Sequence, residues 1–170
     1  SNNAGANHLF RNEIDKQQGW SFRDVTREVG LDTNNRRWRL AATWEDYDND
    51  GDADLFIMNM NDRPTLLRND SGGGNDWLGL QLIGIESNRD AIGARVWVRG
   101  ADMEQMREVH RGWGFQAQQD PRLLFGLGRN QRVEEIEIQW PSGRRQVITE
   151  PPSGRYLIIR ESECPVSEID

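Results

Sequence analysis

The chain has 170 residues, and its 21 basic and 28 acidic side chains give a net charge of −7. This length is typical of one domain or of two small ones, and the acidic balance argues against nucleic acid as the main partner. The 35% apolar share and the 17 glycines together exclude a disordered chain. No apolar run approaches the about 18 residues that a membrane helix needs, so no membrane span is expected.

The first part of the chain is rich in turn residues. Residues 1–7 are small and polar and favour a linker or a frayed start. Residues 24–30 are typical of one helical turn that ends at Gly30. Two short strands are expected at 38–44 and 54–59, on either side of an Asp-rich loop. The run Gly72-Gly73-Gly74 is the clearest candidate domain boundary.

Beyond that boundary, strand signals recur at short intervals. Apolar residues fill 77–85 almost throughout, whereas 95–99 and 135–140 alternate between apolar and polar side chains. Further strands are expected at 147–148 and 156–159, each after a Pro-Ser-Gly turn. Only 102–109 has a helical pattern. This part is therefore expected to be an antiparallel sandwich or barrel, and the fold class is mostly β.

The most specific signal is the loop Asp46-Tyr-Asp48-Asn-Asp50-Gly51-Asp52-Ala-Asp54. Neighbouring carboxylates about 5 Å apart repel by roughly 0.8 kcal/mol per pair even in water, so a folded loop of this composition favours a bound cation. Calcium takes about 6–8 oxygen ligands, with carboxylates at loop positions one, three and five and a carbonyl at position seven. The spacing predicts a Ca²⁺ site formed by Asp46, Asp48, Asp50, Asp52 (through its backbone) and Asp54.

The loop differs from an EF-hand in how it closes. An EF-hand has a Glu at its last ligand position, where this chain has Ile57. Asp54 is the expected closing ligand instead, and the apolar residues after it lead directly into a strand. We therefore expect the loop to join two strands, and not two helices. A solvated acidic turn without metal is the alternative.

Two family resemblances follow from longer motifs. The segments Leu9-Phe-Arg-Asn, Phe22-Arg-Asp-Val-Thr and Trp44-Glu-Asp, with the acidic loop, resemble an FG-GAP/VCBS repeat, a calcium-loop blade of β-propellers. The echo of residues 7–12 in 64–69 also favours a repeat unit. The segments 87–96, 120–128 and 138–143 resemble the ASPIC/UnbV domain, as in cartilage acidic proteins.

The resemblances imply a domain division and a setting. They predict a propeller-blade-like antiparallel unit at 7–71 and an antiparallel β-sandwich-like domain at 76–161, followed by a polar tail at 162–170. They also imply an extracellular or cell-surface location and work in binding or adhesion. The family name points in addition to enediyne biosynthesis, so an accessory role in a secondary-metabolite pathway is a further alternative.

Partners are expected through open sheet edges. Members of the family usually carry many such repeats, whereas this sequence shows one. Either the sequence is a piece of a longer protein, or the blade exposes edges that pair readily with another chain. The expected partner is another protein or a copy of the same chain, and a self-assembling extracellular filament or surface layer is an alternative function. Trp113 and the segment 87–93 are also candidates for binding a glycan, with core packing as the alternative for Trp113. Cys164 is the single cysteine, so it can form a disulfide only with another chain.

Catalysis is not expected. The two histidines, His8 and His110, lie far apart in the sequence, and no Gly-x-Ser-x-Gly nucleophile motif occurs. Cys164 has no neighbouring histidine in the sequence, and zinc is disfavoured because the chain has no Cys/His cluster. The segment 87–93 is expected to form a turn with an internal Arg89–Asp pair, or otherwise an anion cradle.

Overall fold

A computed structural model describes residues 8–15, 19–30, 39–70, 74–112, 118, 120–129 and 132–162. Every regular element in these ranges is a β-strand, which confirms the mostly-β fold. The strands are β1 (Phe10–Asp15), β2 (Gly19–Asp24), β3 (Arg39–Glu45), β4 (Asp54–Asn59), β5 (Thr65–Leu67), β6 (Asp76–Ile83), β7 (Arg95–Gly100), β8 (Met103–Glu108), β9 (Leu123–Gly128), β10 (Glu135–Gln139), β11 (Arg145–Thr149) and β12 (Tyr156–Arg160).

The first part of the chain forms two small antiparallel sheets. β1 pairs with β2, and a three-stranded sheet has the order β3-β4-β5. The alternation in β4 buries Leu55 and Ile57, and Leu9 and Leu67 pack against them. This core is small, so little apolar burial holds the three-stranded sheet together.

The second part forms two sheets, of four and three strands, that share one core. Their strand orders are β11-β10-β7-β8 and β12-β6-β9. Val96 and Val98 of β7 lie opposite Ile138 and Ile136 of β10, and all four side chains are fully buried. Phe125 of β9 belongs to the same buried cluster, so apolar side chains from both sheets meet in one layer. This arrangement confirms the expected sandwich-like domain.

One strand pair of the sandwich is parallel. β12 runs parallel to β6, with Tyr156 opposite Gly79, so the three-stranded sheet is mixed. On its other side β6 pairs antiparallel with β9. This pairing places Tyr156 beside Trp77, and their ring centroids lie 5.3 Å apart.

The two helical patterns in the sequence had different outcomes. Residues 102–109, which have a helical pattern, contribute the strand β8, because Trp97 of β7 pairs with Met106 and fixes the segment at a sheet edge. At 26–30 the chain makes one hydrogen-bonded turn, with Val29 N–H donating to the Val25 carbonyl four residues earlier, which agrees with the single turn expected there. Within the described ranges, no helix is long and apolar enough to cross a bilayer.

Candidate metal centre

The acidic loop joins β3 to β4, in agreement with the sequence: β3 ends at Glu45 and β4 begins at Asp54. Two loop residues have left-handed backbone, Asn49 with φ 62° and Gly51 with φ 93°. Gly51 stands where the sequence places the sharp turn, and glycine adopts a positive φ without a Cβ clash. The chain therefore reverses direction within a few residues.

The carboxylate of Asp46 lies at the centre of the loop. Its Oδ1 accepts a hydrogen bond from the Asp50 backbone N–H at 3.1 Å, and its Oδ2 accepts one from the Gly51 N–H at 3.1 Å. Asp50 adds a local turn, since its Oδ1 accepts the Asp52 N–H at 2.9 Å. The loop backbone is thus wound around a residue that is only 4% exposed.

Three of the predicted ligands are brought together. Asp46, Asp48 and Asp50 each offer one carboxylate oxygen, and these oxygens lie within 4.8 Å of one another. Asp46 is buried, whereas Asp48 and Asp50 are exposed, so the cluster opens to solvent on one side. Like charges this close repel, and a cation between them reverses the sign of the interaction. The cluster could therefore hold a metal ion.

Asp54, predicted as the closing ligand, lies outside this trio. It is 1% exposed, and both of its carboxylate oxygens accept backbone hydrogen bonds. Oδ2 accepts the Tyr47 N–H at 2.8 Å, and Oδ1 accepts the Asn69 N–H at 2.7 Å. Asp54 therefore ties the start of the loop to the segment that follows β5, and this role exists whether or not it also coordinates an ion.

Asp52 contributes an unpartnered carboxylate oxygen. Its Oδ2 is buried and has no hydrogen-bond partner among the described residues. Burial raises the pKa of Asp52, and the neighbouring carboxylates of Asp50 and Asp46 raise the pKa further. A buried oxygen without a donor is costly, and a cation would satisfy it. The sequence assigned only the backbone of this residue to the site.

The second part of the chain supplies contacts that the sequence did not predict. The Tyr156 hydroxyl donates to Asp46 Oδ2 at 2.9 Å. Arg122 donates from Nη1 to Asn49 Oδ1 at 2.7 Å and from Nη2 to the Asp46 carbonyl at 3.2 Å. The Asp120 N–H donates to Glu45 Oε1 at 2.9 Å. The acidic loop is therefore docked on the sandwich.

Aromatic packing adds to this docking. A methyl group on Gly51 would come within 2.3 Å of the Trp77 indole, so the indole covers the turn of the loop closely. The Arg122 guanidinium lies 4.3 Å from the centroid of the Tyr156 ring. Burial raises the pKa of Tyr156, and its hydrogen bond to Asp46 raises the pKa further, so the hydroxyl remains a donor at physiological pH.

A second cationic side chain, Arg68, also lies near the loop. Arg68 lies 3.7 Å from Asp48 Oδ2 and forms a closer ion pair with Asp70 at 2.6 Å. The loop sequence contains no cation, but Arg68 and Arg122 come to it from distant positions. Arg68 is about half exposed, so its attraction to Asp48 is weakened by solvent.

An anion cradle was considered at 87–93, and the structure shows one at 85–87 that is occupied by a side chain of the same protein. The backbone N–H groups of Ile85, Glu86 and Ser87 all donate to Glu161 Oε2, at 2.8–2.9 Å, and the Ser87 and Ser142 hydroxyls donate to Oε1. Glu161 is 4% exposed, and no sequence pattern predicted this role. Consecutive N–H groups form an anion nest, which here holds a carboxylate of the same chain.

The expected turn at 87–93 is present, although its ion pair differs. Asn88 accepts the Ile92 N–H at 2.8 Å and donates to the Ile92 carbonyl at 2.9 Å. Asp90 pairs with Arg111 at 3.3 Å, and within the described residues no pair joins it to Arg89.

The remaining predicted candidates are placed as follows. His8 Nδ1 lies 2.8 Å from Asp24 Oδ2, and its ring stacks on Phe10. His110 Nε2 lies 3.7 Å from Glu108 Oε1. Trp113 and Cys164, and with Cys164 most of the tail, lie outside the described residues.

Comparison with known families supports one of the two resemblances. The chain matches the family model described as ASPIC and UnbV over residues 84–166. The matched segment begins directly after β6 and includes Arg122 and Tyr156, the residues that contact the acidic loop. This match confirms the ASPIC/UnbV resemblance for the second part of the chain. Among curated proteins, no match to the chain was found.

Proposed function

We propose that the acidic loop binds calcium and that the chain is a non-catalytic, calcium-stabilised extracellular binding or adhesion module. The observation that carries the metal site is the convergence of Asp46, Asp48 and Asp50, with three carboxylate oxygens within 4.8 Å of one another. The buried, unpartnered Oδ2 of Asp52 in the same loop supports it.

The donor set favours calcium over other common ions. All candidate ligands are oxygens, which suits hard cations, whereas zinc prefers histidine and cysteine. Magnesium demands near-ideal octahedral geometry and retains several waters, whereas calcium accepts irregular sets of 6–8 oxygens. Asp48 and Asp50 are exposed, so water can complete the coordination sphere from the open side.

We assign the first part to the FG-GAP/VCBS type of blade. The acidic loop lies between two antiparallel strands, β3 and β4, and β5 extends the same sheet. This arrangement supports the motif resemblance.

A structural role for the ion supports the non-catalytic proposal. Asp46 accepts hydrogen bonds on both carboxylate oxygens, and so does Asp54. Groups held in this way shape the loop and are poorly suited to exchange protons with a substrate. Extracellular calcium modules typically bind with dissociation constants of about 10⁻⁴–10⁻³ M, so the extracellular proposal predicts a dissociation constant in this range.

Calorimetric titration tests the metal assignment directly. The wild-type chain, freed of metal with a chelator, is expected to bind one calcium ion and to bind magnesium much more weakly. Asp50→Asn removes a charge from the trio and is expected to weaken calcium binding at least tenfold. Asp102→Asn, the same change at an exposed carboxylate of the β7–β8 turn, is the control and should bind as wild type. Absence of calcium binding by the wild-type chain overturns the proposal.

Self-assembly is the second candidate function, and one face of the first part favours it. Phe56 and Leu66 are paired across β4 and β5, and Met58 lies two residues further along the same face. Met58 is 44% exposed and Leu66 42%. An apolar sheet face of this kind favours burial against another surface. Sedimentation of the wild-type chain and of Met58→Lys tests this: assembly predicts concentration-dependent association that the substitution reduces, whereas a monomer at high concentration excludes it.

A further inference from the structure

The buried member of the aspartate trio is held by residues from the second part of the chain. The Tyr156 hydroxyl donates to the carboxylate of Asp46 at 2.9 Å, and Arg122 donates to its backbone carbonyl at 3.2 Å. Asp48 and Asp50 are exposed, so solvent competes for their orientation. Asp46 is therefore the ligand whose position depends most on protein contacts, and two of these come from outside the loop.

The Tyr156 ring is fixed on several sides. A methyl group on Gly79, which lies opposite it in β6, would come within 2.1 Å of the ring, so the ring rests directly on that glycine. Trp77 meets the ring edge-on at 5.3 Å, and the Arg122 guanidinium lies over it at 4.3 Å. A hydroxyl on a ring held in this way has little freedom, so its hydrogen bond to Asp46 is preorganised.

The positive charge of Arg122 is balanced locally. Its guanidinium forms an ion pair with Asp120, whose backbone N–H donates to Glu45 Oε1 at 2.9 Å. Arg122 also donates to Asn49 Oδ1 at 2.7 Å. The Arg122–Asp120 ion pair thus supplies hydrogen bonds to the loop while carrying little net charge. It therefore does not repel a cation bound there.

We propose that Tyr156 is a positioning residue of the calcium site, and that calcium binding and docking of the loop on the sandwich stabilise each other. This inference rests on the proposed calcium site and adds that the site is completed by the second part of the chain. Partners that orient metal ligands typically contribute about 10–100-fold to metal affinity. Coupling of this kind is reciprocal, so the ion strengthens the docking contacts to the same extent that docking strengthens ion binding.

The first test compares two substitutions that remove the same atom. Tyr156→Phe deletes the hydroxyl that contacts Asp46, whereas Tyr47→Phe deletes a hydroxyl from a loop residue that is 67% exposed. Calorimetry on the full chain is expected to show calcium binding about tenfold weaker in Tyr156→Phe and within twofold of wild type in Tyr47→Phe. A purely structural role for Tyr156 would lower the melting temperature without changing the calcium dissociation constant.

The second test uses the unmodified chain and so does not depend on a variant that folds. Hydrogen exchange is measured with calcium and with a chelator. Coupling predicts that calcium slows exchange of the Asp120 amide, which donates to Glu45 in the docked loop. The Ser87 amide, held by Glu161, is the internal control and should not change.

The outcomes separate the two proposals. If the wild-type chain binds no calcium, the calcium site itself is wrong and the coupling falls with it. If the wild-type chain binds calcium but Tyr156→Phe binds equally well, or if the Asp120 amide is unaffected by the ion, the coupling is overturned while the calcium site stands. Weaker binding in Tyr156→Phe together with a slower Asp120 amide supports the coupling.

Discussion

Tyr156 and Asp46 lie 110 positions apart in the chain, and the hydroxyl of Tyr156 donates a 2.9 Å hydrogen bond to Asp46 Oδ2. Asp46 belongs to the three-aspartate cluster, and Tyr156 begins the strand that pairs in parallel with β6 of the sandwich. This bond places the candidate metal loop against the part of the chain that matches the ASPIC and UnbV family. Residues from both parts of the chain therefore form the surroundings of the loop.

Substitution of Gly51 is expected to disrupt this docking. In Gly51→Ala the new methyl would lie 2.3 Å from the Trp77 indole, at a residue with φ 93°. Backbone strain and the clash together should cost about 2–4 kcal/mol. Gly143→Ala is the control, because its φ is 91° but no atom lies within 4 Å of the new methyl. Urea unfolding should show the larger loss for Gly51→Ala, and equal losses would contradict the close packing of Trp77 on the loop.

Glu161 is expected to make stability depend on acid pH. Burial by itself raises the pKa of Glu161, but hydrogen bonds from Ser142, Ser87 and Ile85 outweigh it and lower the pKa to about 2. Because the folded-state pKa lies below the unfolded value of about 4.5, the stabilisation is fully present above pH 4.5. It is lost as the pH falls from there towards about 2.

Melting temperatures measured across this pH range check the prediction. Glu161→Gln should be less stable than wild type at pH 7, by about 2–3 kcal/mol, because an uncharged amide replaces the acceptor of five hydrogen bonds. The difference in stability between wild type and Glu161→Gln should become smaller as the pH falls below 4.5. Glu134→Gln, at an exposed carboxylate, is the control and should keep a constant gap. A constant gap in Glu161→Gln as well would show that its carboxylate is not held in the folded state.

Arg122 is expected to stabilise the folded chain because its planar, branched guanidinium can donate to several acceptors at once. In Arg122→Lys one ammonium cannot reach Asn49, the Asp46 carbonyl and Asp120 at once, and it stacks less well on Tyr156. We expect a loss of about 1–2 kcal/mol in urea unfolding. Arg155→Lys changes an exposed arginine next to Tyr156 and should be near neutral. Similar small effects in both variants would contradict the role given to Arg122.

Without calcium, the first part of the chain is expected to open more readily than the sandwich. Leu55 and Ile57 are the buried members of its small core, whereas the sandwich core draws fully buried side chains from several strands. Hydrogen exchange in a chelator should therefore be faster for the amides of β4 than for those of β10. Calcium should slow exchange in β4. Equal protection of the two strands in the chelator would show that the small core is sufficient by itself.

Short sequence patterns predicted the acidic loop and several of the strands. The acidic residues placed the loop between two strands, and β4 spans 54–59, the range expected from the sequence. The alternation of Ile136 and Ile138 with charged residues gave β10, because a strand with one buried face imposes that period. The segment that became β8 was misassigned, since its Met, Glu, Gln and Arg residues favour helix but pairing with β7 decided its structure.

The contacts that residues from distant positions make around the candidate site could not be predicted from short sequence patterns. Arg122 and Tyr156 reach the loop from positions 76 and 110 residues away, and no local pattern marks such pairs. The buried carboxylate of Glu161 likewise depends on strands that meet only in the folded chain. The sequence predicts the ligand types of the loop, whereas the packing that orients Asp46 follows from the tertiary structure.

Thermal unfolding of the wild-type chain in calcium and then in excess chelator tests the central claim most directly. At ten times the dissociation constant, calcium should add about 1.4 kcal/mol to the free energy of unfolding. For a chain of this size this corresponds to a melting temperature roughly 3–6 °C higher in calcium than in the chelator. Asp50→Asn should reduce the difference, and Asp102→Asn should preserve it. An identical melting temperature with calcium and with chelator, up to about 10 mM calcium and thus well above the usual range for extracellular modules, would contradict a calcium site in this loop.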